Sequence, residues 1–335
     1  MMSEDKRALV LETLDGKKQA RIPVGFWFHF VHPETQDAFK DRTIPQQNVD
    51  GHKHFFTAFQ PDFVKLMTDG YFNYPNELIK KASSAKDLLA VEPLGKDHPW
   101  IREQVELVKK QRAVFSYNPV TFYNIFAPST SLKILLGGFS EAGAKKEADF
   151  IIQDKAAVKH ALDVIAEDLA TLAQAVISEA GADGIYLSAQ NVQDSRITES
   201  IYKEVVAPSE IKILEAAKAV SPHSILHICG YEGARNHLEW YKDYPVDIVN
   251  WAVAVEGVSL EEGKKIFGSR TVLGGFGNTK DDVLYKGTED QIKAETKRIV
   301  EKAGKDHLIL GADCTVPYDI DLRHLEWVRQ AAANV

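Results

Sequence analysis

Short apolar runs rich in Val, Ile, Leu and Phe alternate along the chain with longer amphipathic stretches. This pattern is typical of repeated β-then-α units and not of a sandwich. It predicts eight strands, at residues 22–29, 63–68, 120–126, 184–188, 224–229, 247–252, 271–275 and 307–311.

The clearest helical pattern covers residues 155–180, where apolar residues recur at three- and four-residue steps before Gly181. Further helices are predicted at 202–220, 233–241, 260–267, 289–303 and 322–333. Alternating strands and helices imply parallel strands, and eight units can close into a barrel without edges. We therefore predict an α/β fold: one (β/α)8 TIM barrel domain over residues 1–335, with an N-terminal helical extension. Residues 70–119 and 128–155 exceed simple crossovers and are predicted to be inserted lid segments.

Composition narrows the functional classes. The net charge of -8 argues against a basic surface for nucleic acid. No apolar run approaches the roughly 20 residues that cross a bilayer, and the polar start lacks the apolar core of a signal peptide. We therefore expect a cytoplasmic protein with no membrane partner. A chain of 335 residues with two cysteines is not a disulfide scaffold, so each thiol needs another role.

Those two cysteines suggest a metal site. His227 and Cys229 are two residues apart and share one face of a predicted strand, and Cys314 follows the last predicted strand. Both cysteines thus lie at carboxyl ends of strands, where barrel enzymes hold their active sites. One imidazole and two thiolates suit zinc, and three protein ligands leave a position open for catalysis. The alternative is a core thiol, a loop thiol and a hydrogen-bonded histidine without metal.

The sequence His227-Ile228-Cys229 with the distant Cys314 resembles the zinc motif of cobalamin-dependent methyltransferases that act on thiols. These enzymes belong to the uroporphyrinogen decarboxylase superfamily. The resemblance extends over nearly the whole chain, through AGADGI at 180–185, YKEVVAP at 202–208, LGG at 273–275 and GADC at 311–314. It implies a zinc-bound thiolate that attacks the methyl group of a methyl-corrinoid, usually carried on a partner protein. Coenzyme M, homocysteine and other small thiols would offer the same sulfur, so all of them stay open as acceptors.

The decarboxylase branch of the superfamily is one alternative, since it uses no metal and binds a porphyrinogen with many carboxylates. That branch carries an arginine-rich motif near its first strand, whereas this chain reads GFWFHFVHP at 25–33. Neutral imidazoles such as His29 and His32 cannot replace guanidinium charges. A non-catalytic barrel that binds a tetrapyrrole or a corrinoid protein is the third possibility.

Three further residues are candidate catalytic groups. Asp69, in LMTDGY at 66–71, matches the position of the decarboxylase branch's essential aspartate, although it could instead cap the following segment. His29 is a candidate substrate contact or general acid/base, with a structural histidine as its alternative. Gln190 follows a predicted strand and is expected to line the mouth, as is Asn191. Asp313 or Glu232 could supply a fourth metal ligand or accept a hydrogen bond from His227.

Overall fold

The computed structural model describes residues 5–231 and 235–335, and seven strands within them form one parallel sheet. The order β1 to β7 follows the chain, and each strand pairs with the next. Their bounds are Phe63–Leu66, Val120–Phe126, Gly184–Ala189, Ile225–Ile228, Ile248–Trp251, Thr271–Phe276 and Leu308–Ala312. This arrangement confirms the α/β class, the parallel order and seven of the eight predicted strands, in a sheet that resembles a TIM barrel.

The prediction of a first strand at residues 22–29 is wrong. Among the residues that the structure describes, this segment makes one isolated bridge, between Val24 and Leu310. Its backbone nevertheless lies between the two edge strands, since Leu310 N donates to Pro23 O at 2.9 Å and Asp62 N donates to Val24 O at 3.1 Å. Pro23 has no N–H, and the N–H of Val24 donates to the Asp62 carboxylate at 2.7 Å. The segment therefore lacks a donor toward β7 at Pro23 and a backbone-to-backbone donor toward β1 at Val24, and it forms no continuous ladder with either strand.

The interior of the sheet is filled by large apolar side chains that alternate along the strands. This cluster includes Trp27, Phe63, Phe122 and Tyr186, all buried. Val10 of helix α1, Lys6–Leu14, packs into the same cluster. Since Phe63 begins β1, α1 covers the amino-terminal end of the barrel and accounts for the predicted N-terminal helical extension.

The other helices surround the sheet. They are α2 Ile44–Phe59, α3 Glu77–Lys81, α4 Pro99–Ala113, α5 Pro128–Gly137, α6 Glu141–Gln153, α7 Lys155–Ser178, α8 Glu199–Val205, α9 Ala207–Lys218, α10 Val253–Glu256, α11 Leu260–Phe267, α12 Val283–Lys286, α13 Glu289–Ala303 and α14 Leu322–Ala332, with 3-10 turns at Ala85–Ala90 and Leu238–Tyr241. The sequence pattern did not predict α2. None of the helices in the described ranges is long and apolar enough to cross a membrane.

Two helix predictions need correction. The helix predicted at 202–220 is divided into α8 and α9, because Pro208 occupies the first turn of α9 and cannot continue a preceding helix. The helix predicted at 233–241 is only a 3-10 turn from Leu238, and residues 232–234 lie outside the described ranges. The N–H groups of Asn236 and His237 donate instead to Glu256 and Asn191 side chains, which prevents a helical turn there.

The two predicted lid segments fold differently from each other. Residues 70–119 contain α3, a 3-10 turn and α4, and α4 packs against α2 and α7 on the outside of the sheet. Residues 128–155 contain α5 and α6, and Lys133 of α5 contacts Gln190 just beyond β3. The second segment therefore lies beside the carboxyl ends of the strands.

Candidate metal centre

Strands β4 and β7 bring together the imidazole and the two thiols. His227 lies within β4, Cys229 follows that strand, and Cys314 follows β7 by two residues. The Cys229 N–H donates to Ala189 O at 2.8 Å, which extends the strand pairing to the cysteine. The ligand atoms of the three residues all lie within 4.8 Å of one another. The spatial cluster expected from the strand ends is therefore present, while metal binding itself stays a prediction.

Asn250 of β5 determines which tautomer the His227 ring adopts. Its Nδ2 donates to Leu273 O at 2.8 Å and to Ala312 O at 3.2 Å. Its Oδ1 must then face His227 Nδ1, 2.5 Å away, so Nδ1 carries the proton. The opposite nitrogen, Nε2, is buried and has no hydrogen-bond partner in the described chain. An imidazole with a free, inward-facing lone pair is what a metal ligand requires.

The two thiols complete a donor set of one nitrogen and two sulfurs. A hydrogen bond between them raises the pKa of Cys229, and burial raises it further. The same hydrogen bond lowers the pKa of Cys314. The two sulfurs and the unpartnered Nε2 of His227 match the ligands that zinc takes in catalytic sites.

Gln190 supports the end of β4. It is buried, and its Nε2 donates to Cys229 O at 3.1 Å while its Oε1 accepts from Lys133 Nζ. Asn236 Nδ2 donates to the same carbonyl at 3.1 Å. Two amides thus fix the backbone of Cys229. A Cβ at the next residue, Gly230, would lie 2.1 Å from Glu256 Oε1, so a larger residue there would have to displace the Glu256 carboxylate.

Lys65 is a site residue that the sequence reasoning missed. It lies on β1, is buried, and places its Nζ 3.8 Å from the centre of the Tyr186 ring. Burial lowers its pKa to about 8, while the charges of Cys314 and Cys229 raise it. A polar residue in an otherwise apolar strand, FVKLM at 63–67, was the available signal. Asn250, also missed, gave a similar signal in β5.

His29 and Asp69 form a separate pair. His29 Nδ1 lies 2.8 Å from Asp69 Oδ1, and Asp69 Oδ2 accepts from Phe30 N at 2.8 Å and Asn48 Nδ2 at 3.3 Å. Asp69 is fully buried, and its carboxylate is occupied by these hydrogen bonds. His29 lines a cavity of about 280 Å³ with His32 and other residues. Within residues 5–231 and 235–335, no hydrogen bond or ion pair joins this pair to the thiol–imidazole cluster.

Asp313 is buried beside Cys314 but is not part of the cluster of close ligand atoms. Its Oδ2 accepts from Ala254 N at 3.0 Å, and burial raises its pKa to about 7. The Asp313 carboxylate thus stabilises the start of helix α10. Glu232, the other candidate fourth ligand, lies outside the described residues.

The structure is similar to a methyltransferase from Methanosarcina mazei, at 17% identity and a TM-score of 0.67, over 98% of each chain. It is less similar to a B12-independent methionine synthase from Shewanella sp. W3-18-1, at 14% identity and a TM-score of 0.41, over 69% of this chain and 65% of that one. No curated protein sequence matches.

The sequence profile of uroporphyrinogen decarboxylase (URO-D) matches residues 64–335. The match begins within β1 and runs to the end of the chain, so it includes every strand after β1 and all three residues of the thiol–imidazole cluster. The chain therefore belongs to the uroporphyrinogen decarboxylase family.

Proposed function

We propose that this protein is a zinc-dependent methyltransferase that passes a methyl group from a methyl-corrinoid, free or carried on a separate corrinoid protein, to a small thiol. The observation that carries the proposal is the buried, unpartnered Nε2 of His227 beside two thiols. A decarboxylase that works without metal has no need of this donor set. The methyltransferase activity named for the Methanosarcina mazei protein of the same fold agrees with this choice.

One imidazole and two thiols as metal ligands indicate which reaction the site can support. A zinc ion held by His227, Cys229 and Cys314 would bind an acceptor thiol at its open position and keep it as a thiolate at neutral pH. A sulfur lone pair of the acceptor would form the new S–C bond to the methyl group of the corrinoid substrate. The Co–C bond of that substrate would break with its electron pair left on cobalt, which would change from Co(III) to Co(I), and the thiol proton would pass to solvent.

The remaining residues hold this arrangement in place. Asn250 keeps the proton of His227 on Nδ1, and Gln190 and Asn236 fix the carbonyl of Cys229. We assign His29 to substrate contact, because the bond of its Nδ1 to Asp69 leaves Nε2 for the cavity that His29 lines. Asp69 acts by positioning His29.

Elemental analysis of protein purified without added metal tests the first part of the proposal. We expect about one zinc per chain, and Cys229→Ala or Cys314→Ala should lose most of it because two ligands cannot hold the ion tightly. His29→Ala is the matched control and should retain the metal. Full zinc occupancy in both cysteine variants would contradict the assignment of the ligands.

A panel of biological thiols, each tested with methylcobalamin, examines the second part. The correct acceptor should add one sulfur to the metal shell by X-ray absorption and release about one proton per site near neutral pH. Loss of either cysteine ligand should reduce thioether formation. If no thiol in the panel enters the shell and no thioether forms, thiol methylation is the wrong chemistry, even if the metal is present.

A further inference from the structure

We propose that Lys65 is the counter-charge of the metal centre, and that it selects an anionic ligand over a neutral one at the open coordination position. This inference rests on the proposed function, because it assumes a divalent metal held by His227, Cys229 and Cys314. It makes Lys65 a positioning residue that acts on the acceptor through its charge.

The position of Lys65 follows from the alternation of β1. Phe63 and Met67 belong to the interior cluster, so Lys65 between them points to the same interior face. Its ammonium lies 3.8 Å from the ring centre of Tyr186 and 5.4 Å from that of Trp27. The Tyr186 ring is in turn 5.2 Å from the ring of His227. Lys65 is thus separated from the metal ligand His227 by a single aromatic ring.

No carboxylate in the described chain lies within ion-pair distance of Lys65. Its electrostatic neighbours are Cys314, Cys229 and Asp69. Asp69 already forms a short pair with His29. A buried ammonium without a partner is strongly unfavourable, and the cation–π contacts offset only part of that penalty. Cys314 and Cys229, which a bound metal would hold as thiolates, are therefore the anionic groups that Lys65 faces.

The charges of the metal, its three ligands and Lys65 do not sum to zero without a further anion. A divalent zinc, two thiolates and a neutral imidazole sum to zero, and the Lys65 ammonium leaves one positive charge. Lys133, the other lysine buried near Cys229, has the buried carboxyl of Glu147 as a charge neighbour. One anionic ligand at the open position would neutralise the charge of Lys65. An acceptor that binds as a thiolate meets this condition, whereas a neutral thiol does not.

A simple experiment tests this selection without methyl transfer. The wild-type protein and Lys65→Met are loaded with Co²⁺, and azide (an anion) and imidazole (a neutral ligand) are titrated against the visible absorption of the metal. Removing a unit charge within about 10 Å, at an effective dielectric constant of about 20, should weaken azide binding at least tenfold. Imidazole binding should change less than about twofold, because a neutral ligand gains little from that charge.

Three variants control for indirect effects. Lys65→Arg keeps the charge and should keep the preference for azide, and Lys65→Gln repeats the neutral change if Lys65→Met folds poorly. Lys264→Met removes a half-buried lysine that donates to Ala303 O and Asp306 O far from the centre, and should leave both ligands unaffected.

The outcomes separate this inference from the proposed function. Equal weakening of azide and imidazole in both neutral variants, or no weakening, overturns the role of Lys65 while the metal centre stands. Failure of the wild-type protein to bind Co²⁺ rejects the centre and the inference together. A preference for azide that depends on Lys65 supports the inference, even in a protein that shows no methyl transfer.

Discussion

Asn250→Ala is the sharpest test of how the protein prepares His227 for a metal. The Asn250 side chain takes part in four hydrogen bonds, with His227 Nδ1, Tyr186 Oη, Leu273 O and Ala312 O. Its loss leaves buried groups unpaired and frees the His227 ring to rotate or to change tautomer. We expect the free energy of unfolding to fall by about 2–4 kcal/mol, since each unpaired buried group costs about 1–3 kcal/mol.

The same change should weaken metal binding about 10- to 100-fold, as is usual when the hydrogen-bond partner of a ligating histidine is removed. Zinc affinity is measured by competition with a chelator, and stability by urea unfolding. Asn250→Asp separates the two effects. Its carboxylate can still accept from His227 Nδ1, so affinity should stay near wild type, whereas the carbonyls of Leu273 and Ala312 lose their donor and stability should fall.

Asn48→Ala is the control for general destabilisation. Asn48 is also a buried amide, and it exchanges hydrogen bonds with Met67 O and Gln111 Nε2 away from the thiols. This variant should lose stability and keep its zinc affinity. If Asn250→Ala binds zinc within about threefold of wild type, the tautomer of His227 is not set by Asn250 and the reasoning fails.

Three further predictions concern the fold, its pH response and its substrate. Asp62→Ala should lower the free energy of unfolding by about 3–5 kcal/mol in urea titrations. The reason is that the buried Asp62 carboxylate binds both the Arg21 guanidinium and the Val24 N–H. A change of less than about 1 kcal/mol would contradict this prediction. Burial lowers the pKa of His52 from 6.5 to about 4, so its contribution to stability is present above pH 6.5 and is lost as the pH falls toward 4. Between pH 7 and 4.5 the wild type should therefore lose about 2–3 kcal/mol more than His52→Gln, and parallel curves would refute the assignment. Uroporphyrinogen should not be converted to coproporphyrinogen, since no arginine is among the described residues that line the cavity beside His29. Coproporphyrinogen detected by chromatography would instead favour the decarboxylase reaction.

Residue spacing, taken together with the assignment of a parallel α/β barrel, predicted the cluster of His227, Cys229 and Cys314. In a parallel α/β fold, alternation within a strand and position at its carboxyl end are local properties, and together they fix which residues meet at the mouth. The partners of this cluster were not predictable in that way. Asn250 faces His227 only because β4 and β5 pair in one particular register, and Lys65 approaches from the far side of the barrel.

The first predicted strand failed for a related reason. Residues 22–29 are apolar and extended, and periodicity cannot distinguish a hydrogen-bonded strand from a buried extended segment. The difference arises from Asp62, a residue distant in sequence whose carboxylate accepts a hydrogen bond from the N–H of Val24. His29 and Asp69 illustrate the same limit of sequence patterns. Each residue was a plausible catalytic group by itself, but their hydrogen bond joins residues 40 positions apart and depends on the tertiary structure.

The strand order has a consequence for how metal affinity should respond to the barrel as a whole. The thiols of Cys229 and Cys314 follow β4 and β7, which are separated by β5 and β6. In a flat sheet those strands would lie roughly 14 Å apart, at about 4.8 Å per step, yet the ligand atoms here lie within 4.8 Å. Only a curled sheet can bring the three ligands this close together, so a bound ion would link the carboxyl ends of β4 and β7 across the mouth of the barrel. Changes that let the sheet unroll, even at the distant seam between β7 and β1, should therefore weaken metal binding, and bound metal should protect that seam from opening.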